Sequence, residues 1–514
     1  WNCDKGRWAF KYVTAVDRLS QPLVRNADGV LVEASWPEAL AAAAAGLKGK
    51  RAAVLSGGRI TLEDAYGYSK FARIALGTND VDYRARVTSN EEREFLAAVV
   101  AGSSTTYADI DSADQVALVA FEPEEESPIV FLRLNKNFKK RGLKVSAVAT
   151  KQSIAMDKLK ADFIKVAPGA EAQAVAGLAL TAKSVILVGE RASESAGLLS
   201  AVSALAAKTG AKIAYIPRRA GERGALEAGL LGNVLPGGRP VADAAARVDI
   251  AAAWGVSSLP TETGRSSSEI IAALGAGDLD AVVVGGVDIH DLPAQREAAI
   301  ALKKAFVVSL EIAPSAVTEL ADVVLPVAAV TEKSGSFLNW EGRARSFDAA
   351  VSDSLNRSDV RILSALSDAM GNPIALPSVT SSAREFAQLG SWEGARASFA
   401  PIAPASVPSV SGNEFVLTSW RRLLDMGTLQ RGEDNLAGTR RPTVAVISPK
   451  RASELGVTTG EQLRISNAHG STTIPALVED IHDDAVWIPR NSFGSQALIS
   501  LDAVHGSVVT VVKA

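Results

Sequence analysis

Short apolar runs rich in Val, Ile and Leu alternate along this chain with longer Ala-rich segments whose apolar positions recur with a helical period. Three such runs are QVALVAF at residues 115–121, SVILVG at 184–189 and DAVVVGG at 280–286. Each is followed by an amphipathic segment and then by a second apolar run, LKVSAVA, KIAYIP or FVVSLE. Strand, helix and strand in this order are typical of parallel sheets that helices cover on both faces. The pattern therefore predicts a doubly wound α/β body.

The pattern changes beyond about residue 375, where Pro and Ser replace the helical period. The strings LPSVTSSA and FAPIAPASVPSVSG are typical of a linker or an irregular surface crossing. From Arg441 onward, short strand-like runs recur between turn residues, namely TVAVIS, EQLRIS, TTIPALVE, AVWIP and VVTVV. Together with a short helix expected at SPKRASELGV, these runs predict a small closed β-barrel.

Composition places the chain among globular proteins of several domains. Its 514 residues are 47% hydrophobic and 22% charged, with a formal net charge of -3. A chain of this length exceeds one small core and predicts two to four domains. The balanced charge excludes the concentrated basic field that general nucleic-acid binding requires. The most apolar stretches are far shorter than the roughly 20 residues of a spanning helix, so no direct membrane insertion is expected.

Cys3 is the only cysteine in the sequence, so the chain can form no internal disulfide. The chain opens with Trp and runs straight into a patterned segment, from which we expect residue 1 to be an interior position of a longer polypeptide. Lys5 and Arg7 would favour the thiolate, the form that binds metal, and Trp1 and Trp8 could exclude water from it. The alternative is that Cys3 is a small buried hydrophobe.

Other candidate sites in the sequence are weaker. Gly-containing turns in LSGGRITLEDAYGYSKFAR and VGERASES could present helix N-termini to a phosphate, but neither is a GxGxxG or Walker loop. Glycine also permits a tight turn without any ligand. The acidic run FEPEEESP could suit Mg or Ca, but Pro123 is expected to open a helix whose dipole the glutamates complement. The four histidines form no metal pair on one helix face, and no GxSxG motif indicates a hydrolase.

The N-terminal motifs resemble those of one protein superfamily. CDKGRWAFKYV at residues 3–13, the following DRLSQPLVR, and EASWPEAL at 33–40 are similar to the segment after the last cluster cysteine of molybdopterin oxidoreductases. In that superfamily three cysteines lie upstream, and a fourth, followed by a Lys-Gly-Arg element, completes a four-iron cluster. The resemblance implies that Cys3 is one ligand of a 4Fe-4S cluster, that Lys5 and Arg7 lie beside it, and that the other ligands precede residue 1.

Within the superfamily, the chain most resembles the family of large iron-sulfur subunits of bacterial NADH-quinone oxidoreductase, or complex I. The string EKSGSFLNWEGR at residues 332–343 is the most specific motif, and the resemblance extends nearly from end to end of the chain. It implies α/β lobes of the formate dehydrogenase and DMSO reductase type and a C-terminal β-barrel of the double-psi type. The divisions predicted on this basis are 1–35 for the end of the cluster domain, 36–100 with 254–400 for one α/β lobe, 101–253 for an inserted α/β lobe, and 415–514 for the barrel domain.

The chain departs from catalytic members of the superfamily at the loop that carries their metal ligand. Those enzymes place a Cys, selenocysteine, Ser or Asp there, whereas RARVTSNEE at residues 84–92 offers only the hydroxyls of Thr88 and Ser89. Arg490 and Asn491 lie in the barrel segment that covers the pterin in catalytic relatives, and we expect them to hold barrel turns together or to contact other lobes. The resemblance implies a fold that has lost molybdopterin and holds no catalytic residue.

The function that the resemblance implies is iron-sulfur electron transfer and structural support in the peripheral arm of a proton-pumping NADH-quinone oxidoreductase. Lys5 and Arg7 would raise the reduction potential of the cluster, and further iron-sulfur clusters would lie upstream. Expected partners are the NADH-binding and quinone-side subunits, at the cytoplasmic side of the bacterial plasma membrane. Two alternatives stay open: a catalytic molybdopterin enzyme such as formate dehydrogenase or nitrate reductase, with Ser89 or Thr88 on the metal, and a cofactor-free α/β binding protein with a buried Cys3.

Overall fold

The computed structural model describes residues 2–351, 354–493 and 497–514, and the chain folds as two compact units. The first unit consists of Trp1–Ala15, Thr105–Arg218 and Ala400–Ala514, and the second of Val16–Ser104 and Arg219–Phe399. Each unit is thus assembled from separate stretches of chain. The four-part division drawn from the sequence stays a prediction.

The helices of the described chain are short to medium in length, and none of them in these ranges is both long and apolar enough to span a bilayer. Labelled in chain order, they are α1 (Asp4–Trp8), α2 (Trp36–Leu47), α3 (Leu62–Ile74), α4 (Asn90–Phe95), α5 (Tyr107–Ser112), α6 (Pro123–Glu126), α7 (Pro128–Arg141), α8 (Ile154–Lys158), α9 (Glu171–Ala176), α10 (Leu198–Thr209), α11 (Glu222–Glu227), α12 (Ala244–Trp254), α13 (Ser267–Ala276), α14 (Gln295–Lys304), α15 (Ala316–Leu320), α16 (Asp359–Met370), α17 (Val379–Leu389), α18 (Asp434–Ala437), α19 (Pro449–Leu455) and α20 (Ala497–Ser500).

The strands are labelled in the same way. They are β1 (Leu23–Arg25), β2 (Leu31–Glu33), β3 (Ala52–Ser56), β4 (Val81–Asp82), β5 (Gln115–Val119), β6 (Lys144–Ala149), β7 (Asp162–Lys165), β8 (Ser184–Gly189), β9 (Lys212–Ile216), β10 (Val234–Leu235), β11 (Arg239–Pro240), β12 (Ala281–Gly285), β13 (Phe306–Glu311), β14 (Val323–Pro326), β15 (Gly335–Leu338), β16 (Ala344–Phe347), β17 (Glu414–Thr418), β18 (Ala445–Ile447), β19 (Gln462–Ser466), β20 (Ser471–Val478), β21 (Ala485–Trp487) and β22 (Val508–Lys513).

The second unit contains a seven-stranded sheet in the order β2-β1-β14-β13-β12-β3-β4. The strands from β14 to β4 are parallel, and β1 pairs antiparallel with β14 and with β2. Every residue of β3 and β12 is buried, as expected for central strands covered on both faces. Ile270 of α13 and Leu302 of α14 share one core with Leu55 and Val282 of these strands. The strand-helix-strand pattern predicted from residue 280 onward is therefore confirmed.

The first unit contains a five-stranded parallel sheet in the order β7-β6-β5-β8-β9. The chain runs outward from β5 to β7 and then returns to add β8 and β9 on the other side of β5. Helices α7 and α10 end at Gly142 and Gly210, which adopt the left-handed conformation with φ of 68° and 74°. Glycine adopts this conformation without a Cβ clash, which explains why both helices stop there. Both strand-helix-strand patterns predicted in this region are confirmed.

The first unit also contains a closed barrel of six strands in the order β17-β21-β18-β20-β19-β22. The pairs β17-β21 and β18-β20 are parallel, and the other neighbours are antiparallel. Phe415, Leu463, Ile465 and Val511 are buried together in the barrel core. The predicted closed barrel is confirmed, with α19 where a short helix was expected. Strand β17 precedes Arg441, before the point where the sequence pattern first predicted barrel strands.

The prediction that the helical pattern ends near residue 375 is wrong, because helix α17 follows. Ser378 begins α17 with a capping box, in which its Oγ accepts a hydrogen bond from the Ser381 amide at 3.0 Å. Capping satisfies amide groups that a helix start leaves free, so this Ser-rich string initiates a helix instead of a linker. Phe386 of α17 packs edge-on against Tyr66 with ring centroids 5.5 Å apart. Residues 400–411 do lack helix and strand, as the Pro-Ser pattern predicts.

Candidate functional site

Cys3 lies at the start of a short helix, and its side chain is only partly buried. It is the N-cap of α1, and its Sγ accepts a hydrogen bond from the Gly6 amide at 3.4 Å. The interpretation of Cys3 as a buried hydrophobe does not describe this side chain.

Lys5 connects α1 by hydrogen bonds to the segment that contains Leu423 and Asp425, also in the first unit. Its Nζ donates to the Leu423 carbonyl at 2.8 Å and to Asp425 Oδ1 at 2.9 Å. Burial lowers the pKa of Lys5, and the neighbouring Asp425 carboxylate opposes that effect. The ammonium is therefore held in one place by two acceptors instead of lying free in water.

Arg7 and Trp8 have different surroundings from Lys5. Arg7 is exposed, and its guanidinium carbon lies 5.8 Å from the centre of the Trp8 ring. Trp8 is itself 52% exposed, so it does not exclude water from this segment of the described chain. Trp1, which was expected to do the same, lies outside the described residues. Of the two basic residues predicted beside the cluster ligand, only Lys5 is anchored by a carboxylate that the structure records.

Asp425, the carboxylate that binds Lys5, also binds two arginines. No sequence pattern indicated this residue. Its Oδ2 accepts from Arg218 at 2.8 Å and from Arg421 at 3.3 Å, while the Gly427 amide donates to Oδ1 at 3.1 Å. Burial alone would raise the pKa of Asp425, but Arg218, Lys5 and Arg421 outweigh burial and hold the pKa well below its usual range. Asp425 is therefore a buried, ionised carboxylate shared by three cations.

The residues present fit one position of a four-iron cluster. Such a cluster is held by four thiolates, and this sequence supplies one, that of Cys3. Within the described ranges, no three His, Cys, Asp or Glu side chains converge in a way that could hold a metal ion. Cys3 is partly accessible. The remaining thiolates would have to come from outside this sequence.

The loop expected to carry a molybdenum ligand is closed by its own hydrogen bonds. Thr88 Oγ1 donates to Glu92 Oε2 at 2.5 Å, and Ser89 Oγ accepts from the Glu92 amide at 3.2 Å as the N-cap of α4. The buried Glu92 carboxylate also accepts from Arg84 at 3.1 Å and from Arg86 at 2.8 Å. Burial raises the pKa of Glu92, but Arg86 and Arg84 outweigh it and hold this pKa below its ordinary value. Both hydroxyls thus form hydrogen bonds to Glu92 within the protein.

The first glycine turn, in LSGGRI, lies after β3 and next to the end of β12. Ligands of open parallel sheets bind at such carboxyl ends. A Cβ on Gly286, where φ is 64°, would meet Arg59 Nε at 2.1 Å, and a Cβ on Gly58 would meet the Arg219 side chain at 2.4 Å. Asp359 holds the Arg59 guanidinium there at 3.3 Å. Two arginine side chains therefore pack directly against the glycines of this turn.

An ion pair in the first unit joins the acidic run to the second glycine turn. Helix α6 begins at Pro123 with Glu122 as its N-cap, which confirms the helix predicted there. Arg191, from the turn VGERASES, donates to Glu126 at 2.8 Å. Glu122 is 2% exposed, and burial raises its pKa to about 8. These contacts give the run a packing role and do not form a metal site among the described residues.

A small pocket lies beyond the carboxyl ends of β5 and β6, lined among others by Glu122, Arg191 and Trp420. His505 also lines it, and its ring nitrogens lie 3.2 Å from Glu171 Oε1 and 3.2 Å from Thr418 Oγ1. The histidine and the arginine are thus both paired with carboxylates of the protein.

Arg490 and Asn491 hold turns within the first unit, as expected. Arg490 Nη1 donates to Glu194 at 2.8 Å, which links the barrel to the segment after β8. The Asn491 carbonyl accepts from the Met426 amide at 2.8 Å.

Comparison with protein families identifies two matching regions. Residues 18–369 match the model described as Molybdopterin oxidoreductase, and residues 415–510 match that described as Molydopterin dinucleotide binding domain. The two matches correspond to the α/β part of the chain and to its barrel.

Curated relatives resemble nearly the whole chain. The NADH-quinone oxidoreductase G subunit of Mycobacterium tuberculosis is 48% identical over 99% of this chain and 66% of its own length. The relative of the same name from Streptomyces coelicolor is 45% identical over 99% of this chain and 65% of its own length. The resemblance to this family of subunits is therefore confirmed, and the chain spans just under two thirds of the length of these relatives.

A solved structure supports the fold. Acetylene hydratase from Pelobacter acetylenicus matches 98% of this chain and 93% of its own chain with a TM-score of 0.62 and 14% identity. A likeness at this identity concerns the fold alone, and it confirms the predicted combination of α/β lobes and barrel. Because the family model covers residues 18–369, the chain belongs to the molybdopterin oxidoreductase family.

Proposed function

We propose that this chain is the pterin-free part of the large iron-sulfur subunit, the G subunit, of a bacterial NADH-quinone oxidoreductase, or complex I. The observation that carries the proposal is the 48% identity to the G subunit of Mycobacterium tuberculosis over 99% of the chain. The activity belongs to the assembled complex, and this part contributes electron transfer and structural support. We assign no substrate-converting site to the chain itself.

In this role Cys3 supplies one thiolate to a 4Fe-4S cluster. When bound, the cluster accepts and releases single electrons. The Gly6 amide donates to Sγ at 3.4 Å, and Lys5, two positions further along the chain, is anchored by Leu423 and Asp425. The three other thiolates, and further iron-sulfur clusters, lie in polypeptide upstream of residue 1.

The partners in this proposal are the other subunits of the peripheral arm, on the NADH-binding and quinone sides of the chain. The complex lies at the cytoplasmic side of the bacterial plasma membrane, and this chain attaches through its partners. The names of the close relatives support membership of such a complex. The proposed function involves neither nucleic-acid binding nor direct insertion of this chain into the membrane.

One structural feature supports the absence of molybdopterin from the proposed function. Thr88 and Ser89, the two hydroxyls of the loop in which catalytic relatives carry their metal ligand, are hydrogen-bonded to Glu92. A catalytic molybdopterin enzyme, the alternative drawn from the sequence, would need one of these hydroxyls free to bind the metal.

The proposal is tested by measuring iron, molybdenum, tungsten and pterin in the full-length polypeptide within its complex, with low-temperature EPR of the reduced protein. The wild type is compared with Cys3→Ser and, as a control, with Asn2→Ser at the exposed neighbouring position. We expect one four-iron signal to disappear in Cys3→Ser and to persist in Asn2→Ser. No sample should contain molybdenum, tungsten or pterin in stoichiometric amount.

Two results would contradict the proposal in different ways. Persistence of every iron-sulfur signal in Cys3→Ser would show that Cys3 is not a ligand. Stoichiometric molybdenum or tungsten with pterin would instead restore the alternative of a catalytic enzyme and direct attention to the loop around Thr88.

A further inference from the structure

The motif EKSGSFLNWEGR begins a two-stranded hairpin in the second unit, formed by β15 and β16. Strand β15 is anchored to the helix beside it, because the Ser336 amide donates to Glu63 Oε2 of α3 at 2.8 Å. Strand β16 lies on the outside of the hairpin, where Ala344, Arg345 and Ser346 are all exposed. The hairpin therefore presents β16 as an exposed edge strand.

The hydrogen-bonding register shows which backbone groups of β16 point away from β15. The Asn339 amide donates to the Arg343 carbonyl at 3.1 Å, so these two residues form a hydrogen-bonded pair. Hydrogen-bonded and non-hydrogen-bonded pairs alternate along an antiparallel ladder, which assigns Ala344 and Ser346 to non-hydrogen-bonded pairs. Their N–H and C=O groups point outward, and no other strand of the described ranges pairs with them.

Two arginines and a phenylalanine share one face of this edge. Arg343, just before β16, lies at alternate positions with Arg345 and Phe347. The Phe347 ring stacks on that of Phe337 in β15, with centroids 5.5 Å apart. Arg343 Nε lies 2.8 Å from a Glu341 carboxylate oxygen, whereas Arg345 forms no ion pair with the residues that the structure describes. The face thus combines aromatic surface with an uncompensated positive charge.

We propose that β16 binds an extended acidic segment of a partner subunit by strand addition. This inference rests on the proposed function for the source of the partner, and it adds the surface at which that partner binds. The added strand forms hydrogen bonds with the outward backbone groups of Ala344 and Ser346. It places a carboxylate opposite Arg345 and an apolar side chain opposite Phe347, since side chains directly across a strand pair are in contact.

Charge favours an acidic partner over a second copy of this chain. Antiparallel pairing of two β16 strands about Arg345 would set the two Arg345 side chains directly opposite each other, and like charges in that position destabilise a sheet. Exposed charges on an edge strand also discourage pairing with unrelated neutral strands. An acidic strand instead gains an ion pair at the same position. The edge is therefore selective for a segment of negative charge.

The test is amide hydrogen exchange at residue resolution, on the full-length polypeptide in its assembled complex and on the same polypeptide purified alone. We expect the Ala344 and Ser346 amides to exchange about a hundredfold more slowly in the complex than in the isolated polypeptide. The Arg345 and Phe347 amides belong to hydrogen-bonded pairs with β15 and should be protected in both samples. Their protection reports that the hairpin itself is intact.

A charge reversal distinguishes strand addition from simple covering of the hairpin. In the complex, Arg345→Glu should raise the exchange rates of the Ala344 and Ser346 amides about tenfold, because it replaces an ion pair with a repulsion. Arg384→Glu makes the same substitution at an exposed position of α17 and should leave these rates unchanged. Unchanged exchange at Phe347 verifies that the hairpin is still formed in the variant.

Three results would overturn the proposal. These are rapid exchange of Ala344 and Ser346 in the wild-type complex, slow exchange that Arg345→Glu does not alter, and protection in the isolated polypeptide that increases with its concentration. The last result would identify a second copy of the chain as the occupant of this edge. Absence of the chain from the NADH-quinone oxidoreductase complex would instead refute the proposed function, so the two failures are distinguishable.

Discussion

The Lys333 ammonium lies 2.6 Å from Asp64 Oδ2 in the second unit, and the exposed fractions of the two side chains are 6% and 0%. A second carboxylate, that of Asp359, lies 3.2 Å from the same nitrogen. Burial lowers the pKa of Lys333, but Asp64 and Asp359 outweigh it and hold the pKa above its ordinary value. Lys333 comes from the EKSGSFLNWEGR motif, so the most specific string of the sequence serves here to neutralise buried carboxylates.

Lys333→Met should destabilise the protein strongly, because it leaves two carboxylates in the core without their shared ammonium. The expected loss in the free energy of unfolding is about 3 to 5 kcal/mol. Denaturant titration of the wild type and the variant measures it. Lys303→Met makes the same substitution at an exposed position of α14 and should leave the transition unchanged. Equal stability of the two variants would contradict the assigned role of Lys333.

Glu122 should make the stability of the protein fall as the pH rises from about 5 to about 8. Its pKa is about 8 in the fold against an ordinary value of 4.5, because burial disfavours the charged form. The neutral carboxyl is therefore fully compatible with the fold below pH 4.5, and stability is lost as the pH rises through the folded value. Glu122→Gln should be more stable than the wild type at pH 9, by on the order of 3 kcal/mol, and similar to it at pH 5.

The measurement for Glu122 is chemical denaturation across this pH range. Glu124→Gln, two positions along and paired with the exposed Lys158, should retain the pH dependence of the wild type. A parallel pH profile for Glu122→Gln and the wild type would show that the Glu122 carboxyl is ionised in the folded protein at neutral pH.

Thr88→Cys should not restore molybdenum binding, although it places a favoured ligand type in the loop. Arg84 and Arg86 hold the loop through Glu92, which also accepts the hydrogen bond of the Thr88 hydroxyl. Elemental analysis of the variant complex, expressed with molybdate, should find metal at the wild-type level. Ser89→Cys tests the second hydroxyl in the same way. Stoichiometric molybdenum in either variant would contradict the closed geometry described for this loop.

Ser378→Ala should destabilise the second unit by about 1 kcal/mol, because it removes the side chain that caps α17. Thr380→Ala lies at an exposed position inside the same helix and should be neutral or slightly stabilising, since Ala is the better helix former. Denaturant titration of both variants provides the comparison. The same loss in both would mean that capping does not contribute.

Local periodicity was sufficient to predict much of the fold. Strand β12 and helix α14 were predicted because an apolar run and a helical repeat each depend on residues a few positions apart. Helix α17 was missed because its start, LPSVTSSA, has the Pro and Ser content of a linker. The hydrogen bond by which Ser378 caps the helix at Ser381 does not alter the spacing of apolar residues, so periodicity could not indicate it. The strand pattern did not include β17, which lies in isolation before a long irregular segment, although the division implied by the resemblance begins the barrel domain at residue 415.

The candidate site was predictable only in part. Cys3 and Lys5 belong to one recognisable string, but the Asp425 carboxylate that fixes Lys5 lies 420 positions away. Likewise, LSGGRI shows its glycines, whereas the presence of Arg59 against Gly286 depends on how β12 pairs with β3. Contacts between distant segments follow from sheet order and packing, which a single sequence records only indirectly.

The bond between Lys5 and Asp425 also imposes an order of events during synthesis. The segment that carries Cys3 leaves the ribosome before its anchor, from which it is separated by 420 residues. At bacterial elongation rates of about 5 to 20 residues per second, this interval lasts about 20 to 80 s. During that time Lys5 has no Asp425 partner, and the start of the chain is not yet anchored to the barrel segment. In the proposed function, cluster insertion at Cys3 would therefore follow translation.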